Sequence, residues 1–211
     1  MKKILTLVSV TLLLQSLIIP VRAQQPVNPI QVVLESGLMT QYPDGQFHPE
    51  RGVVRAELAS IVVKTFQLDQ RNTATNQNQP IPDVPSSHWA YRDIEIALET
   101  GIMKGDLTGR FHPNQPVTRA EGFAIFAQAF GVLMLNDADV NRILNTYRDG
   151  YQTPDWARQA LATAIFEELV NIGNNNELNP LQPMTRADMA YALSQYLAKQ
   201  SNPGTIPDIP N

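Results

Sequence analysis

Three arginines stand in the same short motif, and they are the side chains of this chain best suited to binding an anion. The motif reads GVVRAE, PVTRAE and PMTRAD in its three occurrences, with the arginines at Arg55, Arg119 and Arg186. A guanidinium is a planar fork of donors that matches a carboxylate. The alternative to ligand binding is a solvated surface salt bridge, which would also use this chemistry.

The residues around the arginines predict that each motif begins a helix. Thr118 and Glu121, three residues apart, have the spacing of a capping box, and Thr185 and Asp188 repeat it. The arginine then occupies the first helical position, where the helix dipole disfavours a cation. Free backbone N–H groups at that end would attract an anion. We therefore favour ligand binding for the arginines, and favour capping over ligand contact for the threonines and acids. Val54 cannot cap through its side chain.

The first 23 of the 211 residues have the pattern of a secretory signal peptide. Lys2 and Lys3 precede an apolar run, and small residues lead to a predicted cleavage before Gln24; a retained membrane anchor is the alternative. Cleavage would remove three cations and no acid, taking the formal net charge from −4 to −7. This acidity argues against general nucleic-acid binding, and the absence of cysteine excludes disulfides and thiolate metal sites.

Self-comparison shows that most of the remaining chain is one unit repeated three times. At one fixed offset Trp89 aligns with Trp156 and Arg119 with Arg186, and at a second offset Arg119 aligns with Arg55. Each unit reads as helix, loop and helix, with glycines such as Gly101 and Gly131 suited to ending the helices. Thr153 and Pro154 are suitable cap and first-turn residues for the first helix of the third unit.

These patterns predict an all-α fold in which three helix-loop-helix repeats pack as a pseudo-threefold bundle. We expect the first repeat to be degenerate because Gln25 stands where the others have tryptophan. The predicted segments are a signal peptide over 1–23, repeats over 24–68, 81–131 and 147–199, linkers over 69–80 and 132–146 (the second with a possible short helix), and a C-terminal tail over 200–211.

The middle repeat carries the residues of a known family. Its IPDVPSSHWAYRDIEIALETGIMKGDLTGRFHPNQPVTRAE stretch, from residue 81 to 121, resembles a surface-layer homology (SLH) repeat. The hallmarks are the aspartate and His-Trp-Ala of the lead, the Gly-Ile after the first helix, the Gly-Phe-Pro loop and the Thr-Arg-Ala-Glu helix start. The resemblance covers nearly all of the chain after residue 23.

The resemblance implies a non-catalytic module that attaches to bacterial cell walls through a wall-linked polysaccharide, often one with ketal-pyruvate groups. It implies that the motif arginine contacts this ligand. An envelope tethering protein with a protein partner is the alternative. We expect a secreted protein of the cell wall, cell surface or periplasm, with no membrane span after cleavage, no cofactor and no metal. The candidate ligand-binding residues are Arg55, Trp89, Thr118, Arg119, Glu121, Trp156, Thr185, Arg186 and Asp188.

Three expectations concern details of this site. Trp89 and Trp156 could equally pack between repeats or offer an apolar face to a sugar ring. The first groove should bind least, because Val54 weakens its helix start. The tail contains IPDIP, an echo of the IPDVP before the middle repeat, and we expect it to dock where the first repeat is incomplete.

Overall fold

The computed structural model describes residues 28–71 and 80–201, and within them the all-α prediction is confirmed. This part of the chain contains seven α-helices, two short 3₁₀ turns and no strand longer than an isolated bridge. None of these helices is both long enough and apolar enough to cross a membrane. The helices are α1 (Pro29–Glu35), α2 (Arg55–Phe66), α3 (Tyr91–Glu99), α4 (Arg119–Phe130), α5 (Asp137–Leu144), α6 (Asp155–Phe166) and α7 (Arg186–Ser201).

The second helix of each repeat begins at its motif arginine, as the sequence predicts. Glycine also ends the helices of the middle repeat: Gly131 is the C-cap of α4, and Gly101 follows the C-cap of α3, both in the left-handed region (φ 77° and 71°). The predicted start of α6 is wrong by one residue. Pro154 is the N-cap and Asp155 the first helical residue, while the Thr153 hydroxyl is buried without a hydrogen-bond partner among the described residues.

The helices pack between repeats in cyclic order. Helix α2 packs against α3, α4 against α6, and α7 against α1, so the second helix of each repeat lies on the first helix of the next. The third pair closes the circle from repeat 3 back to repeat 1. Phe66, Phe126, Phe130 and Tyr196, from α2, α4 and α7, form an aromatic cluster with ring centroids 5.0–6.3 Å apart. One continuous core therefore serves all three repeats.

A ring of three backbone hydrogen bonds joins the residues just before α2, α4 and α7. Val53 N donates to Met184 O, Met184 N to Val117 O, and Val117 N to Val53 O, at 2.8 to 3.0 Å. All three side chains are buried. Each repeat thus donates to one neighbour and accepts from the other, which fixes the three helix starts close together around a common centre.

The first repeat is the shortest on its first helix. Helix α1 has 7 residues, against 9 in α3 and 12 in α6. Helix α5, with Asn136 as its N-cap, lies in segment 132–146 and packs against α6. The expectations for the signal peptide, for Gln25 and for docking of the tail lie outside the described residues.

Candidate functional site

The three motif arginines are buried at the contacts between repeats. Their exposed fractions are 9% for Arg55, 7% for Arg119 and 4% for Arg186. We call the contact of repeats 1 and 2 interface I, that of repeats 2 and 3 interface II, and that of repeats 3 and 1 interface III. Arg55, Arg119 and Arg186 lie in interfaces I, II and III respectively. The alternative of a solvated surface salt bridge is therefore wrong for all three.

Each arginine holds the loop of the following repeat by the same pair of main-chain contacts. Nε donates to the carbonyl of the loop's large anchor residue, and Nη2 to a carbonyl seven residues before it. In interface I these acceptors are Phe111 O (2.8 Å) and Lys104 O (2.7 Å). In interface II they are Leu178 O (2.8 Å) and Asn171 O (2.6 Å), and in interface III Phe47 O (2.9 Å) and Thr40 O (2.6 Å). The repetition makes the arginine a fixed part of the repeat interface.

The third contact of each guanidinium is a carboxylate in the first turn of the following repeat's second helix. Arg119 Nη1 lies 2.6 Å from Asp188 Oδ1 and 3.1 Å from Asn171 Oδ1. Arg186 Nη1 contacts Glu57 Oε1. In interface I the pair is looser, with 3.4 Å between Arg55 Nη1 and Glu121 Oε1. Because the acids occupy the third helical position, one residue both stabilises a helix start and neutralises a neighbour's arginine.

The predicted capping of these helices is confirmed. Thr118 Oγ1 accepts from Glu121 N, and Glu121 Oε2 accepts from Thr118 N, at 3.2 and 3.4 Å. Thr185 and Asp188 form the same reciprocal pair, at 3.2 and 2.8 Å. Val54 provides no side-chain cap. Burial alone would raise the pKa of Asp188, but the Arg119 guanidinium and the Thr185 N–H hold that pKa below its usual value.

The expectation of free N–H groups at these helix starts is wrong. The first two helical N–H groups of α4, on Arg119 and Ala120, donate to Gln182 O and Pro180 O of the next repeat, both at 2.9 Å. The corresponding groups of α2 and α7 donate to the following repeat in the same way. The helix ends are thus used to join repeats.

Both tryptophans are on the surface, where they could stack on a sugar ring. Trp89 is 67% exposed just before α3, and Trp156 is 64% exposed in the first turn of α6. The ring of Trp89 stacks on His88, with centroids 5.7 Å apart. Neither indole is packed between repeats. Among the described residues no ring or cation–π contact brings either indole to a motif arginine.

Two aspartates that were not among the candidate residues hold the loops of repeats 2 and 3. Asp83 accepts from Phe111 N and His112 N, and Asp149 accepts from Leu178 N and Asn179 N, at 2.7 to 2.8 Å. Asp83 lies in the IPDVP lead of the middle repeat, and this position is the signal from which its contact with the loop could have been predicted. Burial raises the pKa of Asp83, and the two N–H donors more than offset this and lower it.

Four further residues that contact the arginines were not among the candidate residues. Lys104 and Thr40 contribute main-chain carbonyls, and Glu57 and Asn171 contribute side-chain oxygens to the arginines. Aromatic rings also cover the guanidinium planes: Arg186 Cζ lies 4.5 Å from the centroid of the Phe47 ring. Each arginine is therefore enclosed on several sides.

Comparison with known proteins identifies the family. The model of the S-layer homology domain matches residues 25–59, 80–121 and 146–190, more than half of the chain. The chain is 27% identical over 169 residues to the Surface-layer 125 kDa protein of Lysinibacillus sphaericus, a match covering 79% of this chain and 13% of that protein.

Two further relatives illustrate the range of proteins that share this region. The Cellulosome-anchoring protein of Acetivibrio thermocellus is 26% identical over 168 residues, covering 78% of this chain and 36% of that protein. The Amylopullulanase of Thermoanaerobacterium thermosulfurigenes is 29% identical over 173 residues, covering 82% of this chain and 9% of that protein. The chain thus spans about a tenth to a third of the length of these relatives. With three matched repeats and three equivalent interfaces, it belongs to the S-layer homology domain family.

Proposed function

We propose that this chain is a non-catalytic module that holds its protein at the bacterial cell surface by binding a wall-linked, acid-bearing polysaccharide. The observation that carries the proposal is the threefold recurrence of the family motif across the chain. The relatives named for surface layers and for cellulosome anchoring support an anchoring role. The ligand class is the one that the family resemblance implies.

Two chemical features support a carbohydrate ligand with a carboxylate. An exposed indole provides a flat apolar face for the C–H side of a sugar ring, and two of the three repeats have one. A motif arginine at each interface, although buried and already hydrogen-bonded, would act on the ligand's carboxylate as a nearby positive charge. On a polymer, three modest sites would combine into one strong attachment, because binding at one raises the effective concentration at the others.

The proposal does not include catalysis. Some relatives carry enzyme names, but the amylopullulanase match spans 9% of that protein. The acids of the three motifs, Glu57, Glu121 and Asp188, cap helices or pair with arginines, and they belong to different interfaces. A wall hydrolase would need two carboxylates flanking one bond. We expect no release of dye from labelled peptidoglycan.

The test is co-sedimentation with purified cell walls before and after removal of the attached polysaccharide. We expect the protein to sediment with intact walls and to stay in solution with stripped ones. Binding that survives stripping would instead favour the alternative of a tethering protein with another envelope partner. Peptidoglycan that never carried the polysaccharide is the matching negative control.

The exposed tryptophans allow this test to be made without disturbing the fold. Trp89→Ala with Trp156→Ala should weaken sedimentation about tenfold or more, on the basis of roughly 1 kcal/mol for each lost aromatic contact. The matched pair Trp89→Phe with Trp156→Phe keeps a flat ring at both positions and should retain most binding. Equal binding by both double variants would refute stacking on these residues.

A further inference from the structure

We propose that a groove in repeat 3 binds an arginine side chain of a protein partner, with Glu168 as its carboxylate and Tyr147 and Tyr191 as its aromatic walls. The groove has a volume of about 390 Å³ and lies between the segment before α6, the loop after α6 and α7. We call it the tyrosine groove; Ile172 and Gln195 also line it. The inference goes beyond the proposed function, because it adds a protein partner at a place that no motif arginine lines.

The first step is the backbone at Glu168, the residue after the C-cap of α6. Its φ is 58°, in the left-handed region. At the offsets that align the motif arginines, this position is Gly101 in the middle repeat and Gly37 in the first, with φ of 71° and 70°. Glycine adopts this conformation without the steric cost that a side chain brings. Repeat 3 therefore has a glutamate where the backbone favours glycine.

The second step is that both tyrosines are also specific to repeat 3. Tyr191 stands at the position of Ala124 in the middle repeat. Tyr147 stands at that of Ile81, since each lies two residues before the aspartate that holds the loop of its repeat. Together with Glu168, three residues that distinguish this repeat from the middle one line a single groove, and all three are at least partly exposed. Their convergence at an accessible groove indicates a binding site.

The third step is the charge of the groove. The Glu168 carboxylate is exposed and has no hydrogen bond or ion pair within the part of the chain that the structure describes, whereas the adjacent Glu167 pairs with Lys199 at 3.4 Å. Among the described residues that line the groove, none is lysine, arginine or histidine. Burial raises the pKa of the Tyr191 hydroxyl, and the charge of Glu168 raises it further. The groove is therefore suited to a cation.

The fourth step is the kind of cation, for which the molecule provides its own example. Arg186 Nη1 contacts the carboxylate of Glu57, and its Cζ lies 4.7 Å and 4.5 Å from the ring centroids of Tyr42 and Phe47. Aromatic faces attract cations, and arginine is found on them more often than lysine. Its planar fork also matches a carboxylate in two-point geometry. Aromatic rings beside an unpaired carboxylate therefore favour a guanidinium.

The remaining surface of the groove fits the rest of an arginine side chain. Ile172 is 39% exposed and gives apolar surface for the methylene groups. The amide oxygen of Gln195 is a further acceptor for guanidinium N–H groups. The formal net charge of −4 also favours the approach of a basic protein surface. The partner is therefore a protein that exposes an arginine.

The test is an NMR titration of ¹³C-labelled protein with an acetylated and amidated Gly-Arg-Gly peptide. The ring signals of Tyr147 and Tyr191 and the methyl signals of Ile172 report on the groove. The control peptide has citrulline in place of arginine, which keeps the shape and removes the charge. We expect saturable shifts at all three residues, and binding at least about fivefold weaker for the citrulline peptide. Equal binding of the citrulline or of a lysine peptide, or shifts only outside the groove, would refute the inference.

Two variants of Glu168 separate its charge from its backbone conformation. Glu168→Gly restores the residue of the other repeats, so we expect a higher melting temperature and binding at least about fivefold weaker. Glu168→Gln removes the charge but keeps a side chain in the left-handed region, so binding should fall without that gain. Glu50→Gln makes the same change at an exposed position in the loop of repeat 1 and should leave binding unchanged. Full binding of the arginine peptide by either Glu168 variant would overturn the inference.

This failure is distinguishable from failure of the proposed function. A protein that sediments with intact walls but does not bind the arginine peptide in the tyrosine groove would refute only the inference. A protein that binds the peptide there but does not sediment with intact walls would refute only the proposed function.

Discussion

At the scale of single residues, the motif arginine is first a structural group. Arg186 has its Nε, Nη1 and Nη2 engaged by two carbonyls and a carboxylate from repeat 1, and aromatic rings cover it. Any ligand contact would add to this role. Substituting such an arginine in a binding assay would therefore confuse loss of ligand contact with loss of fold.

We expect Arg186→Ala to lower the free energy of unfolding by about 3–5 kcal/mol, because it leaves the partly buried Glu57 carboxylate and two carbonyls without partners. Urea denaturation followed by circular dichroism would measure the change. Arg92→Ala is the control, since Arg92 also pairs with a glutamate but its side chain is 70% exposed; it should cost less than about 1 kcal/mol. Similar losses for the two variants would contradict a structural role for the buried Arg186.

His48 provides a prediction about pH. His48 Nε2 lies 2.5 Å from Asp44 Oδ2. The Asp44 carboxylate raises the pKa of His48 above 6.5, and the contact lowers the pKa of Asp44. A raised histidine pKa stabilises the fold at pH values below about 6.5, and the contribution is lost as pH rises through the folded value. An NMR titration of the imidazole should show the raised midpoint, and Asp44→Asn should return it toward 6.5. An unchanged midpoint in that variant would exclude Asp44 as the cause.

At the scale of the helix, the three second helices differ in one replaceable feature. Thr118 and Thr185 cap α4 and α7, whereas Val54 leaves α2 without a side-chain cap. Val54→Thr keeps the shape of the side chain and supplies the missing acceptor. We expect it to raise the free energy of unfolding by about 0.5–1 kcal/mol in urea denaturation.

The neighbouring valine is the matched control for this change. Val53 is fully buried, so Val53→Thr places a hydroxyl in the core and should destabilise the protein. Opposite signs for adjacent Val→Thr substitutions would identify capping as the cause. A loss of stability in Val54→Thr would show that the helix start does not use the new hydroxyl.

The helices and their caps could be predicted from the sequence because their signals are local. Arg119 at the first helical position and Gly131 at the C-cap can be predicted from a few neighbouring residues. The partners of the arginine could not be predicted in this way. Arg119 binds the carbonyls of Leu178 and Asn171, and every residue has a carbonyl, so no side-chain pattern marks these two. The same reason explains why the helix N–H groups were expected to be free.

The loop histidines show a different limit of prediction from sequence. His48, His112 and Asn179 occupy equivalent positions and all have positive φ (52°, 59° and 51°). Histidine and asparagine are among the residues that tolerate this region best. Backbone conformation is therefore enough to explain these residue types, and it became visible only with the fold.

At the scale of the whole molecule, the described residues include no counterpart in the first repeat of a contact that the other two repeats have. Asp83 and Asp149 each hold two loop N–H groups in their own repeat, but the corresponding Phe47 and His48 N–H groups have no partner among the described residues. Asp208, in the IPDIP echo, is the predicted counterpart. We expect deletion of residues 203–211 to lower the melting temperature and Asp208→Asn to reproduce much of the effect. An unchanged melting temperature would refute docking of the tail.

The cyclic order of contacts predicts how the molecule unfolds. The ring of Val53, Val117 and Met184 links all three repeats, and interface III joins the last repeat to the first, so opening any one repeat breaks two interfaces. The three ring amides should therefore exchange with solvent only through global unfolding. Hydrogen exchange followed by NMR should give them one common protection free energy, equal to that from denaturation. Gly45 N, which donates within a loop turn, is the control and should exchange much faster. If Met184 exchanged faster than Val117 in the same experiment, repeat 3 would open alone, and the closed ring would not be the unit of stability.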